Sequence, residues 1–288
     1  MCYREVVQHI TQFDKAYPPL LKEIYDPPKM LFYKGEKLEP TDRYLAIVGT
    51  RRPSSYGEQM AEEFSRALAR AGFVIVSGLA YGIDAIAHRG ALEVGAKTVA
   101  VLGSGVDNIT PPAHTQLAER IAKSGTVISE FQPLTPGYKA NFPQRNRIIA
   151  GMSTATLVIE APERSGALIT ARLALENNRE VMVLPANITQ EVSMGGNRLI
   201  RDSKAHPVTC VEDVFNIMGA SAAIQSGHPH GLTNDEEKIY ALLKKAPLPI
   251  DNIPAHVGLK ISKITTILSM LEIKGFVKIR GAYAETRR

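Results

Sequence analysis

A chain of 288 residues, 44% apolar and 22% charged, has the balance of a folded globular protein and the length for one large core plus a small one. Its net charge of +5 sits in residues 258–288, where seven basic residues (Lys260, Lys263, Lys274, Lys278, Arg280, Arg287, Arg288) meet only Glu272 and Glu285; the first 257 residues sum to zero. No run of about 18 apolar residues offers a membrane span, and the opening Met1-Cys2-Tyr3-Arg4-Glu5 lacks the apolar stretch of a signal peptide, so no membrane contact is expected and the expected location is cytoplasmic.

In chain order, residues 1–43 read as an extended lead-in with one short helix, because the pairs Pro18-Pro19 and Pro27-Pro28 hold the residues before them out of the helical region. Short apolar runs then predict strands at Leu45–Val48, Phe73–Val76, Thr98–Leu102, Thr126–Ile128, Thr156–Ile159 and Val181–Leu184. Helical periodicity fills the stretches between them, as over Glu58–Ala71, Asp84–Val94 and Ala167–Asn177. Strands apolar along their whole length and alternating with helices predict an α/β fold over residues 44–218, a doubly wound, mostly parallel sheet covered on both faces. Such sheets bind ligands at the carboxyl ends of their strands.

Residues 219–231 are small and polar, the composition of a linker. Beyond them, residues 232–288 predict a small domain. Asn234 caps a helix through Lys245, a short helix lies around Ile250–His256 and a longer one around Lys260–Ile273, stopped by Gly275. Phe276–Ile279 and Tyr283 then form a hairpin. Three helices and a hairpin make a winged helix, whose basic end suits an acidic partner or is a solvated face. Cys2 and Cys210 lie too far apart to make a disulfide framework or a zinc site, which fits a reducing compartment and no metal.

Four strand–helix junctions carry the chemistry. The first, Gly49-Thr50-Arg51-Arg52 followed by Pro53-Ser54-Ser55, sets a glycine at a strand end and two arginines beside a helix start, where free N–H groups face an anion. It is not a GxGxxG loop and no acidic residue closes the next strand, so a dinucleotide cofactor is not expected. The second, from Ser77-Gly78 to Gly82, brings the backbone close to a ligand, and Asp84 and His88 fall one turn apart on the following helix. Asp84 is read as a helix-start anion and His88 as a packed residue rather than as a catalytic pair. The third, Phe142-Pro143-Gln144-Arg145-Asn146-Arg147, places two arginines in the opening turns of a helix beside an aromatic able to stack on a base. The fourth, Ser165-Gly166, admits an anion at another helix start. Each segment alone is also compatible with an ordinary turn and solvated arginines; together they favour an extended, phosphate-bearing ligand.

These runs resemble the signatures of the DprA/Smf family: Ile47–Arg51, Ser77–Asp84 with Ala87-His88, Phe142–Ile149 and Ser165–Ala171, in the right order. The resemblance extends over about residues 17–288, from the Tyr17-Pro18-Pro19-Leu20-Leu21 lead-in to the winged helix. It implies a Rossmann-like domain that binds single-stranded DNA, forms a homodimer and loads the RecA recombinase during natural transformation, with no cofactor and no catalytic residue. It also implies that Arg51, Arg145 and Arg147 hold phosphates, that Phe142 stacks on a base and that Gly78 and Gly82 shape the pocket, with Lys139 a further basic candidate. The sequence departs from the family at Pro185-Ala186-Asn187, at Asn108–Pro111 and at Arg201–Ala205, where a glycine is lost.

Two other functions remain open at this point. A nucleotide-processing enzyme of a related Rossmann-like class would need a catalytic carboxylate, for which Glu160 near Arg164 is the nearest candidate. A transcription regulator would read duplex DNA through Lys260–Ile273, but that face is thin in the Arg, Asn and Gln that recognise bases.

Overall fold

A computed structural model describes residues 7–219, 234–244, 247–273 and 276–286. The chain divides into two compact units, residues 1–224 and 225–288, each with its own apolar core. The first unit runs β1 (Gln8–Thr11), α1 (Pro19–Lys22), β2 (Met30–Gly35), β3 (Arg43–Val48), α2 (Ser55–Arg70), β4 (Phe73–Ser77), α3 (Ile83–Glu93) and β5 (Thr98–Val101). It continues with α4 (Thr115–Ser124), β6 (Thr126–Ser129), α5 (Asn141–Met152), β7 (Ala155–Val158), α6 (Gly166–Glu176), β8 (Glu180–Val183), α7 (Glu191–Arg201), β9 (His206–Pro207) and α8 (Val211–Ile217).

The nine strands form one sheet in the order β1-β2-β6-β5-β4-β3-β7-β8-β9. Pairing is parallel from β6 through to β9, and β1 and β2 add an antiparallel edge. Every residue of β4, β5, β6 and β7 is buried, because helices cover both faces and leave these strands no solvent side. Alternation along β3 divides its side chains between two cores. Tyr44, Ala46 and Val48 join the α5 and α6 side, and Leu45 and Ile47 join the α2 and α3 side. This is the doubly wound α/β arrangement that the apolar runs predict.

The lead-in differs from expectation. Its strands β1 and β2 belong to the sheet, with β2 pairing antiparallel to β6. Leu31 and Tyr33 alternate inward along β2, but the pattern is short and follows two proline pairs that argue for irregular chain. Tyr17, Leu21 and Ile24, in and around α1, are buried in the same core as Ile148, Ile149 and Met152 of α5.

The helices α3, α6 and α7 end in one hydrogen-bonded pattern. Gly95, Asn178 and Ser203 each take a left-handed conformation (φ 70°, 55° and 55°). The next amide then reaches back, from Ala96 to Ala91 O, Arg179 to Ala174 O and Lys204 to Leu199 O. Ser203 therefore carries the turn where the resemblance leads one to expect a glycine.

In the second unit, α9 (Asn234–Leu243), β10 (Leu248–Pro249), α10 (Ile253–Val257), α11 (Ile261–Ile273), β11 (Val277–Arg280) and β12 (Tyr283–Thr286) enclose Ile239, Leu243, Ile253, Ile264, Leu268 and Val277. Its sheet order is β10-β12-β11. The three helices and hairpin follow the winged-helix expectation, with the two-residue β10 added. Residues 220–231 of the expected linker, together with Lys245, Lys274, Gly275, Arg287 and Arg288, lie outside the described residues.

Candidate functional site

Strand order sets the position of the site. From β3 the chain steps outward through β4, β5 and β6, then returns through α5 to lay β7 on the other flank of β3. The loops after β3 and β7 consequently leave toward opposite faces, α2 packing on one side and α6 on the other. A crevice opens where they part, as doubly wound sheets require.

A cleft of about 540 Å³ occupies this point. Val48–Arg51 line one wall, residues at the start of α5 a second, and the Pro162–Thr170 junction a third. Arg51, Lys139 and Arg164 stand exposed on its rim, and among the described residues none of the three makes an ion pair. Half-buried Phe142 lines the same cleft, with the Arg51 guanidinium 5.9 Å from its ring centroid, within cation–π range. The ring rests on Gly103, where an added Cβ would stand 2.7 Å from Phe142 Cδ1.

At the α2 start, where a ligand phosphate is expected, the protein sets a carboxylate of its own beside the cap. Ser54 caps the helix by accepting from the Gly57 amide at 3.2 Å. Its own amide and hydroxyl donate to the two oxygens of Glu160, at 2.9 and 2.5 Å. Glu160 is buried, and Gly57 has no side chain because a Cβ would lie 2.2 Å from Glu160 Oε2. Glu160 thus acts as an internal helix-start anion. Glu160 does not line the cleft, whereas the carboxyl-bearing Asp84 does. The α6 start is different: Ser165 caps Leu168 at 3.4 Å, and Gly166 stays exposed on the cleft.

The three arginines carried over from the resemblance fall in three environments. Arg51 is on the rim. Arg145 lines the cleft as a buried part of its wall, donating to Gly78 O at 2.6 Å, to Val101 O, and through Nε to Asn146 Oδ1 at 3.1 Å. Burial pulls its pKa down to about 10, so it remains charged at neutral pH. Gly78 makes room for it, since a Cβ there would lie 2.4 Å from Arg145 Nη1. Arg147 lies outside the cleft lining. Its Nη2 donates to Glu130 at 2.5 Å, and Nε is 3.3 Å from Asp26. Two positions on a helix differ by about 200° in direction, so Arg145 and Arg147 cannot share one wall.

The remaining candidates divide similarly. Gly49 and Thr50 line the cleft, and Thr50 Oγ1 accepts from the Arg52 amide at 3.2 Å. Arg52 and Gly82 face a neighbouring groove. Buried Ser77 donates to Ile47 O at 2.7 Å, and Asn146 ties α5 to α6 by donating to Gly166 O at 3.2 Å. Asp84 accepts from the amides of Gly78 and Ala80 at 3.1 and 3.4 Å, and burial raises its pKa. His88 is fully buried against Thr98 Oγ1 at 2.7 Å. Asp84 also lines the cleft, whereas His88 is packed inside, as the sequence leads one to expect. Arg164 is the rim cation that sequence reasoning did not place here, although it immediately precedes the Ser165 cap.

Residues 8–219 match the family DNA recombination-mediator protein A, and residues 225–281 match the DprA winged helix domain. The chain belongs to the DprA/Smf family. It is 37% identical to Protein Smf of Synechocystis sp. over 98% of this chain and 80% of that protein. DNA processing protein A (DprA) of Streptococcus pneumoniae shares its fold with a TM-score of 0.69 and 40% identity, covering 73% of this chain and 74% of that one. The DNA processing protein A of Helicobacter pylori, whose structure is described for its single-stranded DNA binding mode, gives 0.65 and 31% over 74% of this chain and 96% of that one.

Proposed function

We propose that this family member binds single-stranded DNA without sequence preference in the cleft between β3 and β7, protects it there, and as a homodimer hands it to the RecA recombinase during DNA uptake. One observation carries the binding step: three exposed cations, without an ion pair among the described residues, line the same cleft as a half-buried aromatic ring at the topological switch point. Arg51, Lys139 and Arg164 supply phosphate contacts, and Phe142 supplies a stacking surface that accepts any base. Asn146, the amide side chain lining the cleft, is held by bonds to Arg145 and Gly166, which makes it a poor reader of base edges. The reading is non-enzymatic, cytoplasmic and free of cofactors. Its recombinase and dimer components rest on the family.

Fluorescence anisotropy with a homopolymeric single strand and a duplex, titrated with salt, tests it. Single strand is expected to bind better, and Arg51→Ala to weaken it by about tenfold or more. Removing both Arg51 and Lys139 lowers the slope of log affinity against log salt by about 1.4, at 0.7 per phosphate contact. Unchanged binding in that double variant rejects the site. Preference for a particular duplex sequence would transfer the function to the second unit.

A further inference from the structure

A second groove, of about 550 Å³, adjoins the cleft across a single residue, since Arg51 lines both. Its other cations are Arg52 and Arg89, both exposed and, among the described residues, without an ion-pair partner. Its aromatic is Tyr81, 49% exposed. The combination matches that of the cleft: guanidinium groups spaced around an accessible ring.

The groove is built rather than incidental. Gly82, at φ 73°, lets the loop after β4 press against the loop after β3, where a Cβ would stand 2.4 Å from Thr50 O and 2.7 Å from Arg51 C. The Ile83 amide donates to Thr50 O at 3.2 Å, which locks the two loops together. The Tyr81 ring packs edge-on against His114 with centroids 4.9 Å apart, and His114 Nδ1 is anchored 2.8 Å from Leu79 O. The ring is therefore held in place while half of it stays open to solvent. Carboxylates end the groove. Glu58 lies on its wall, and beyond Arg89 stand Glu62 and Glu93, joined to Arg66. A polyanion led in at Arg51 meets cations as far as Arg89 and then repulsion.

We propose that this groove takes the nucleotides of the same single strand that lie immediately beyond those in the cleft, with Arg52 and Arg89 on phosphates and Tyr81 stacked on a base. The proposal rests on the cleft binding single-stranded DNA.

The test compares two labelled oligothymidylates, one of about 5 nucleotides to fill the cleft alone and one of about 20 to extend past it. Tyr81→Ala and Arg89→Gln are each expected to weaken the longer oligonucleotide by about tenfold, the scale of one stacked base or one charge-assisted contact, and to leave the shorter one unchanged. Tyr81→Phe keeps the ring and should bind as wild type. Arg89→Gln should also reduce the salt slope of the longer oligonucleotide by about 0.7, which a purely structural role would not do. Phe142→Ala should weaken both lengths. Equal losses at both lengths, or none, overturn the groove assignment while leaving the cleft intact. Failure of the unaltered protein to bind either oligonucleotide overturns the cleft reading, and the groove with it.

Discussion

Arg51 and Arg145 sit within one site and are expected to respond in opposite ways to substitution. Arg51 is exposed, so Arg51→Ala should leave the melting temperature nearly unchanged while reducing single-strand affinity. Arg145 is buried with its guanidinium on two backbone carbonyls above Asp84, so Arg145→Ala strands polar groups inside. A loss of about 3 kcal/mol or more in urea unfolding is expected, with any loss of binding following from it. An Arg145→Ala protein of normal stability that fails to bind DNA would return this residue to the phosphate contacts. His88 offers a pH signature. Burial, assisted by the positive charge of Arg145, lowers its pKa to about 3. Between that value and the ordinary value of about 6.5, the unfolded chain holds a proton that the folded one refuses, so stability falls as pH drops through this window. The contribution approaches about 1.4 kcal/mol per pH unit, and His88→Gln should remove it from unfolding curves compared at pH 7 and about 5. An unchanged pH slope in that variant would assign the acid sensitivity to other groups.

Among the elements, α7 has the least favourable ending. Ser203 holds the left-handed position that glycine fills after α3. Ser203→Gly should raise stability by about 0.5–1 kcal/mol in thermal or urea unfolding, because the strain relieved outweighs the added chain entropy; a decrease would show that the serine side chain contributes more than its strain costs. Parallel strands and crossover helices were legible in the sequence because burial on both faces leaves runs such as Phe73–Val76 with no polar interruption. The antiparallel edge was not, since β2 shows only two inward residues, Leu31 and Tyr33, just after a proline pair. The site was legible as a set of loops but not in its division of labour. Arg145 and Arg147 are two positions apart in the chain, and only the rotational setting of α5 against the sheet sends one into the cleft wall and the other to Glu130. The role of Glu160 depends on Ser54, a residue 106 positions away, which no local pattern records.

At the scale of the whole molecule, charge and site separate. The excess of +5 lies at the end of the second unit, whereas the cleft belongs to a first unit whose many cations are nearly balanced by acids and of which a few stand exposed on the cleft. Each unit has its own core, so a fragment ending near residue 219 is expected to fold and to keep the single-strand affinity and salt slope of the full chain. A fragment that folds but loses most of its affinity would place the main electrostatic contacts in the winged helix. The internal anion at the start of α2 has one more consequence. Glu160 sets a carboxylate against that helix end through Ser54, and a carboxylate there disfavours a phosphate group brought to the same place. Contacts made by flexible side chains on the rim are interchangeable from one nucleotide to the next, so a strand held as proposed has no preferred register and can be drawn through the site without first being released.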